Sequence, residues 1–251
     1  MADDRTGLYR LLTWLSPGFP IGAYSYSHGL EAAVDSGRVA DSVSLQDWVA
    51  AVVVHGSGRV DADILRDAYR AAANGALAGL TAVNGRALAY RTTAELACEA
   101  TAQGEAFLSM CCRAWPDAFL DRWVAHCASR LDPEPRPAEQ APAPPPPHPI
   151  GAGICYAAAV GAATARARIP LEDTLVAYMQ AMAANLVSAG LRLGIIGQTG
   201  GQQILAALEP VVIRAANCAI DRDPADFGAA TVALDLASIA HETQYTRLFR
   251  S

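Results

Sequence analysis

The chain has no lysine: all 19 of its basic residues are arginine. A P-loop needs a lysine to reach nucleotide phosphates, and pyridoxal phosphate needs one for its Schiff base, so neither chemistry can be carried by this chain alone. The composition itself fits a GC-rich genome, which also explains the abundance of Ala, Gly and Pro. Charge is scarce too. Only 18% of the residues are charged and the formal net charge is −6, with no basic stripe to release counterions from phosphates, which argues against a general affinity for nucleic acid. Six cysteines, at 98, 111, 112, 127, 155 and 218, follow neither a CxxC spacing nor a small secreted framework, and are expected as buried free thiols in a reducing compartment.

Long hydrophobic runs are missing as well. The longest uncharged helical stretch, residues 174–191, carries Gln180, Asn185 and Ser188 and is expected as a buried helix rather than a membrane span. Asp3, Asp4 and Arg5 precede only a brief apolar run, residues 8–15, which is not a secretory signal. The expectation is a cytoplasmic protein that does not enter the membrane. Roughly one residue in five is alanine, which raises hydropathy without making a segment lipid-soluble.

What is there is helical periodicity. The 251 residues, 52% of them apolar, suffice for a substantial core. No stretch alternates with period two, so the predicted class is all-α: a compact helical bundle of about ten helices in a single domain, residues 1–251. Helices are predicted at about 5–15, 25–36, 45–55, 61–73, 76–90, 93–114, 116–130, 154–168, 171–193, 202–220 and 234–241. Ser44 with Asp47 resembles a capping box, and Pro170 followed by Glu172 and Asp173 suits a helix N-terminus. Gly37, Gly56, Gly75 and Gly197 are natural stops. The alanine-rich segments 157–167 and 181–189 allow close helix approach. Residues 132–149 hold most of the chain's prolines and cannot be helical; they read as an exposed loop within the domain in preference to an interdomain linker or a docking segment.

Catalytic and metal motifs fail one by one. His241-Glu242-Thr243-Gln244-Tyr245 begins like a zincin helix but has tyrosine where the second histidine must stand. Gly151-Ala-Gly153 has Tyr156 at the third glycine of a dinucleotide fingerprint and a proline run before it. Ser57, between Gly56 and Gly58, reads as part of a helix-terminating turn. His126 and Cys127 are adjacent, so on a helix they diverge by about 100°. No acid/base or nucleophilic constellation assembles.

Two segments stand apart. Residues 11–31 pack prolines, glycines, tyrosines and serines between two helices, including Ser16-Pro17, Pro20-Ile21-Gly22, Tyr24-Ser25, Ser27 and Gly29-Leu30-Glu31. On its own this is an ordered loop whose hydroxyls cap the next helix. The terminal residues 238–251 bring His241, Glu242, Tyr245, Arg247, Leu248 and Phe249 together, and aromatics with arginine are an interface composition.

Together the two segments resemble the signatures of the urease accessory protein F (UreF) family. The first is similar to a serine-proline pair, a second proline, a double glycine, two spaced serines and Gly-Leu-Glu; the second is similar to the family's terminal His241 to Phe249 pattern. Residues 169–172, 185–189 and 197–199 resemble its central helices. Ala23 departs from the pattern, replacing the second glycine, so that position should not need a positive φ; the proline run is also long. The resemblance implies a non-enzymatic, homodimeric nickel-insertion chaperone that binds the UreD (or UreH) protein, recruits the UreG GTPase and serves apo-urease. It implies no cofactor or metal on this chain, with nickel and GTP held by partners. The residues it puts forward for partner binding are Tyr24, Ser25, Ser27, Glu31, His241, Glu242, Tyr245, Arg247, Leu248 and Phe249. Within that set Arg247 is expected to make a directional contact, Leu248 and Phe249 to anchor the tail on apolar surface, and Tyr24 to receive part of it, with the tail ordering only on a bound partner. The alternatives left by the residues alone are an all-α enzyme or a cysteine-based metal-binding or redox module.

Overall fold

The computed structural model describes residues 4–131 and 153–250. The proline-rich segment, read above as a loop at 132–149, lies outside the described residues. Within them there are eleven α-helices and two short 3₁₀ turns and no strand, so the chain is all-α. The helices are α1 (Asp4–Trp14), α2 (Leu30–Asp35), α3 (Ser42–His55), α4 (Ser57–Ala73), α5 (Leu77–Ala89), α6 (Ala94–Ala114), α7 (Ala118–Leu131), α8 (Tyr156–Arg166), α9 (Leu171–Arg192), α10 (Gln198–Asp221) and α11 (Val232–Glu242).

Helix α8 is the axis of the fold. Every residue from Ala157 to Ala165 is buried, and α4, α5, α6 and α9 pack around it. Its alanine-rich surface lets those backbones come close, and two glycines mark the tightest approaches. A β-carbon at Gly161 would collide with the carbonyl of Leu65 on α4, and one at Gly104 of α6 would collide with the carbonyl of Ile154. Outside this inner group, α3 and α10 pack on each other and on α4 and α9. Helices α9 and α10 are long and apolar enough to cross a membrane by length and composition, but α9 packs against the 3₁₀ turn η1 (Ala23–Ser25), α2, α3, α4, α8 and α10 and carries ten buried residues, as a core helix does.

Several predicted boundaries move, each for a local reason. The second helix begins at Leu30 rather than Ser25, because His28 (φ 53°) and Gly29 (φ 74°) are left-handed and cannot be helical. The third begins at Ser42: Asp41 is the N-cap, accepting from the Ser44 amide at 2.9 Å while Ser44 Oγ accepts from the Asp41 amide, so the capping box is Asp41 with Ser44 and not Ser44 with Asp47. Ser57 opens α4 instead of ending a helix. Gly197 is the N-cap of α10, and Gly194 (φ 76°) is the left-handed stop after α9. Gly22 takes φ 72° and Ala23 does not share it, as its substitution for glycine implied. Of the six free cysteines, 111, 112, 127 and 155 are buried, but Cys98 and Cys218 are exposed on the outer faces of α6 and α10.

Candidate functional site

The two unusual segments meet. Helix α11 lies on α2 so closely that a β-carbon on Gly29 would sit 2.7 Å from the Ser238 amide, and Ser238 Oγ lies 2.8 Å from Thr93 Oγ1 at the N-cap of α6. Glycine at 29 is therefore required twice, by its φ and by the approach. This docking carries the chain past Glu242 onto the surface made by α2, α6 and the 3₁₀ turn η1 (Ala23–Ser25).

Glu31, in the first turn of α2 and buried, is the acceptor at the centre. Its Oε1 receives the Leu248 amide at 2.7 Å, and its Oε2 receives the Phe249 amide at 2.9 Å and lies 3.1 Å from His241 Nε2. His241 is fully buried, and its other nitrogen, Nδ1, lies 2.7 Å from Glu95 Oε2. Both contacts are hydrogen bonds when both ring nitrogens carry protons. Arg247 Nη1 donates to Glu95 Oε1 at 2.6 Å, so two carboxylates face one imidazole and one guanidinium. Phe249 is buried with the guanidinium of Arg192 stacked 4.3 Å from its ring centroid, and Arg192 also donates to the Tyr24 carbonyl. The Arg250 amide donates to the Ser25 carbonyl at 2.7 Å. The Arg250 side chain bonds the Tyr26 hydroxyl; burial raises the pKa of that tyrosine while the arginine pulls against the rise.

The sequence-predicted residues thus divide. Glu31, His241, Arg247 and Phe249 converge on one seat. Glu242 belongs to its edge, where Oε1 accepts the Ala94 amide at 2.9 Å. Ser27 is buried and its Oγ accepts the Glu31 amide at 3.4 Å, a helix-start role. Ser25 and Tyr24 contribute backbone carbonyls, and the Tyr24 ring is exposed. Tyr245 is fully exposed and Leu248 is 61% exposed, so Leu248 anchors through its amide and not through its side chain. The tail is also seated on its own chain, contrary to the expectation that it orders only on a partner: a single buried carboxylate satisfies two of its amides. Glu95 and Arg192 were not foreseen. Glu95 had one signal, an acid in the first turn of a helix; no spacing links either of them to the seat.

Beside this seat, a cavity of about 240 Å³ opens between the 15–24 loop and α9. Its polar lining includes two paired sets. Arg91 Nη2 donates to Asp61 Oδ1 at 2.6 Å and to Cys155 Sγ at 3.0 Å, and the Tyr178 hydroxyl donates to Asp61 Oδ2 at 2.8 Å. His28 lies 2.9 Å from Glu99 Oε1 through Nε2 and 3.2 Å from Ser57 Oγ through Nδ1. Burial alone would lower the pKa of His28, but the charge and hydrogen bond of Glu99 outweigh it and the net direction is up. Burial also pushes the Cys111 thiol up, and the Cys112 thiol up to about 12, which makes them poor nucleophiles. Among the described residues no group of three or more His, Cys, Asp or Glu is arranged to hold a metal ion.

An all-helical body with a buried ionic seat for its own C-terminal segment, displaying Tyr24, Tyr245 and Leu248 around it, has the layout of an interaction protein. Residues 39–209 match the UreF family model. Over 250 residues, covering 100% of this chain, it is 45% identical to a urease accessory protein UreF of Rhodopseudomonas palustris strain HaA2 (96% of that protein) and 44% identical to that of strain BisB5 (93%). It is 42% identical over 248 residues to the UreF of Bradyrhizobium sp. strain ORS 278, with 99% of this chain and 93% of that protein covered. The chain belongs to the UreF family of urease accessory proteins and is an accessory protein, not an enzyme. The family model stops short of both signature segments, which the full-length relatives span.

Proposed function

We propose that this chain is the scaffold on which the urease nickel centre is assembled: it binds the UreD (UreH) protein, recruits the UreG GTPase and acts as a homodimer in the cytoplasm on apo-urease. Nickel is cargo and GTP a partner's substrate; neither is a cofactor of this chain. Because a chain without lysine has no P-loop lysine, a GTP-driven step requires a second protein. Holding GTPase and urease in one assembly raises the effective concentration of the metal donor at its acceptor, and a preference for one nucleotide state couples hydrolysis to release.

The observation that carries this reading is the tail seat. It fixes Arg247 at the surface beside exposed Leu248 and Tyr245, with exposed Tyr24 tied through its carbonyl to Arg192, which stacks on Phe249. Arginine and aromatics on a rigid base are the composition of binding hot spots. The test is Arg247→Ala. Its pair with Glu95 is partly exposed and worth at most about 1 kcal/mol to the fold, so helicity should be retained while capture of UreG from a mixture with UreD falls at least tenfold. Undiminished capture contradicts the assignment.

A further inference from the structure

The seat and the cavity share a wall. The 3₁₀ turn Ala23–Ser25 and the loop before it form the outer side of the cavity, with exposed Tyr24 and Gln180 at its mouth and buried Asp61, Cys155 and Tyr178 at its floor. That turn is short and has no buried residue of its own. It is held from outside: the Arg250 amide binds the Ser25 carbonyl, Arg192 binds the Tyr24 carbonyl while stacked on Phe249, and Asn185 on α9 donates to the Tyr26 carbonyl at 3.3 Å. Two of these three ties depend on the tail, directly or through the ring on which Arg192 rests.

We propose that the C-terminal tail is a strap that holds the cavity's outer wall in place, so that lifting the tail from Glu31 frees the Ala23–Ser25 turn, while Phe19 stays packed on Phe107, and opens the cavity to solvent. A partner that takes hold of the tail therefore changes access to the interior of this chain as well as its surface. Short surface turns open locally at low cost when the contacts that fasten them are removed, while the core around them stays folded. The inference needs no partner, so it stands or falls independently of the scaffold reading.

Cys155 reports the outcome. It lies in the cavity wall, bonded to Arg91, whereas Cys111, Cys112 and Cys127 are buried in the core away from it. In a full-length chain with the exposed Cys98 and Cys218 changed to serine, alkylation by N-ethylmaleimide is followed at each thiol by mass spectrometry. With the tail seated, all four thiols should react slowly. In Phe249→Ala, and in a chain ending at Gln244, Cys155 should react at least tenfold faster while the other three keep their rates. Arg192→Ala, which leaves the Glu31 bonds in place and removes the tie to Tyr24 together with the stack on Phe249, should give a smaller acceleration at Cys155 alone. Equal Cys155 rates with and without the tail, or a joint rise of all four thiols, overturns the proposal.

Discussion

Glu31 has more of the C-terminal segment depending on it than any other side chain, with two amides and one imidazole on two oxygens. Glu31→Gln keeps the shape but replaces one acceptor oxygen by a donor facing another donor, and a charge-assisted bond of this kind is worth about 2 kcal/mol. Limited proteolysis should remove the last residues of the variant at a protein concentration and time at which wild type is intact, with helicity unchanged; equal resistance contradicts the role given to Glu31. The His28 and Glu99 pair makes a pH prediction. A histidine whose folded pKa is raised contributes stability that is full below the unfolded value near 6.5 and is lost as pH rises through the folded value. Thermal unfolding should therefore show Glu99→Gln less stable than wild type by a larger margin at pH 6 than at pH 9; a margin independent of pH contradicts the ion pair. Residue types in the terminal segment were readable as an interface, those of the N-terminal segment only through the family resemblance, and Glu31, His241, Arg247 and Phe249 do meet. Their partners Glu95 and Arg192 were not readable, since a pair 152 positions apart, as Arg247 and Glu95 are, leaves no periodicity.

At the scale of elements, all eleven helices were legible from helical spacing of apolar residues and from helix punctuation, with α8 buried on every side rather than along one stripe. Where a boundary was misplaced, a residue served a second purpose: His28 and Gly29 adopt left-handed backbone to turn the loop into α2, and Gly197 starts a helix rather than ending one. The crowding around α8 could be anticipated from its alanines, but not which partner backbone each small residue meets. Gly161 faces the Leu65 carbonyl, and a methyl there forces α4 and α8 apart. Overpacking of that kind costs about 3 kcal/mol, so Gly161→Ala should lower the unfolding midpoint clearly, whereas Gly85→Ala on α5, where a β-carbon meets nothing, should leave it unchanged or raise it. Equal midpoints for the two variants would contradict the packing described.

At the scale of the whole molecule, the N-terminal signature loop and the C-terminal segment form one structure: the loop runs into α2, and α11 returns beside α2 to seat the tail. The missing lysine acquires its meaning here. As composition it fits a GC-rich genome; in a member of a urease accessory family it means that the P-loop GTPase step invoked by the proposed function cannot be carried by this chain. The central claim is that the seated tail completes the surface on which that assembly forms. Its most direct test is size-exclusion chromatography with light scattering on this chain mixed with UreD and UreG, in the presence of GTP and Mg²⁺, run in parallel with a chain ending at Gln244. The account predicts a complex containing all three proteins with the intact chain and loss of UreG from it with the shortened one; a three-protein complex of the same mass and stability without the tail would contradict it.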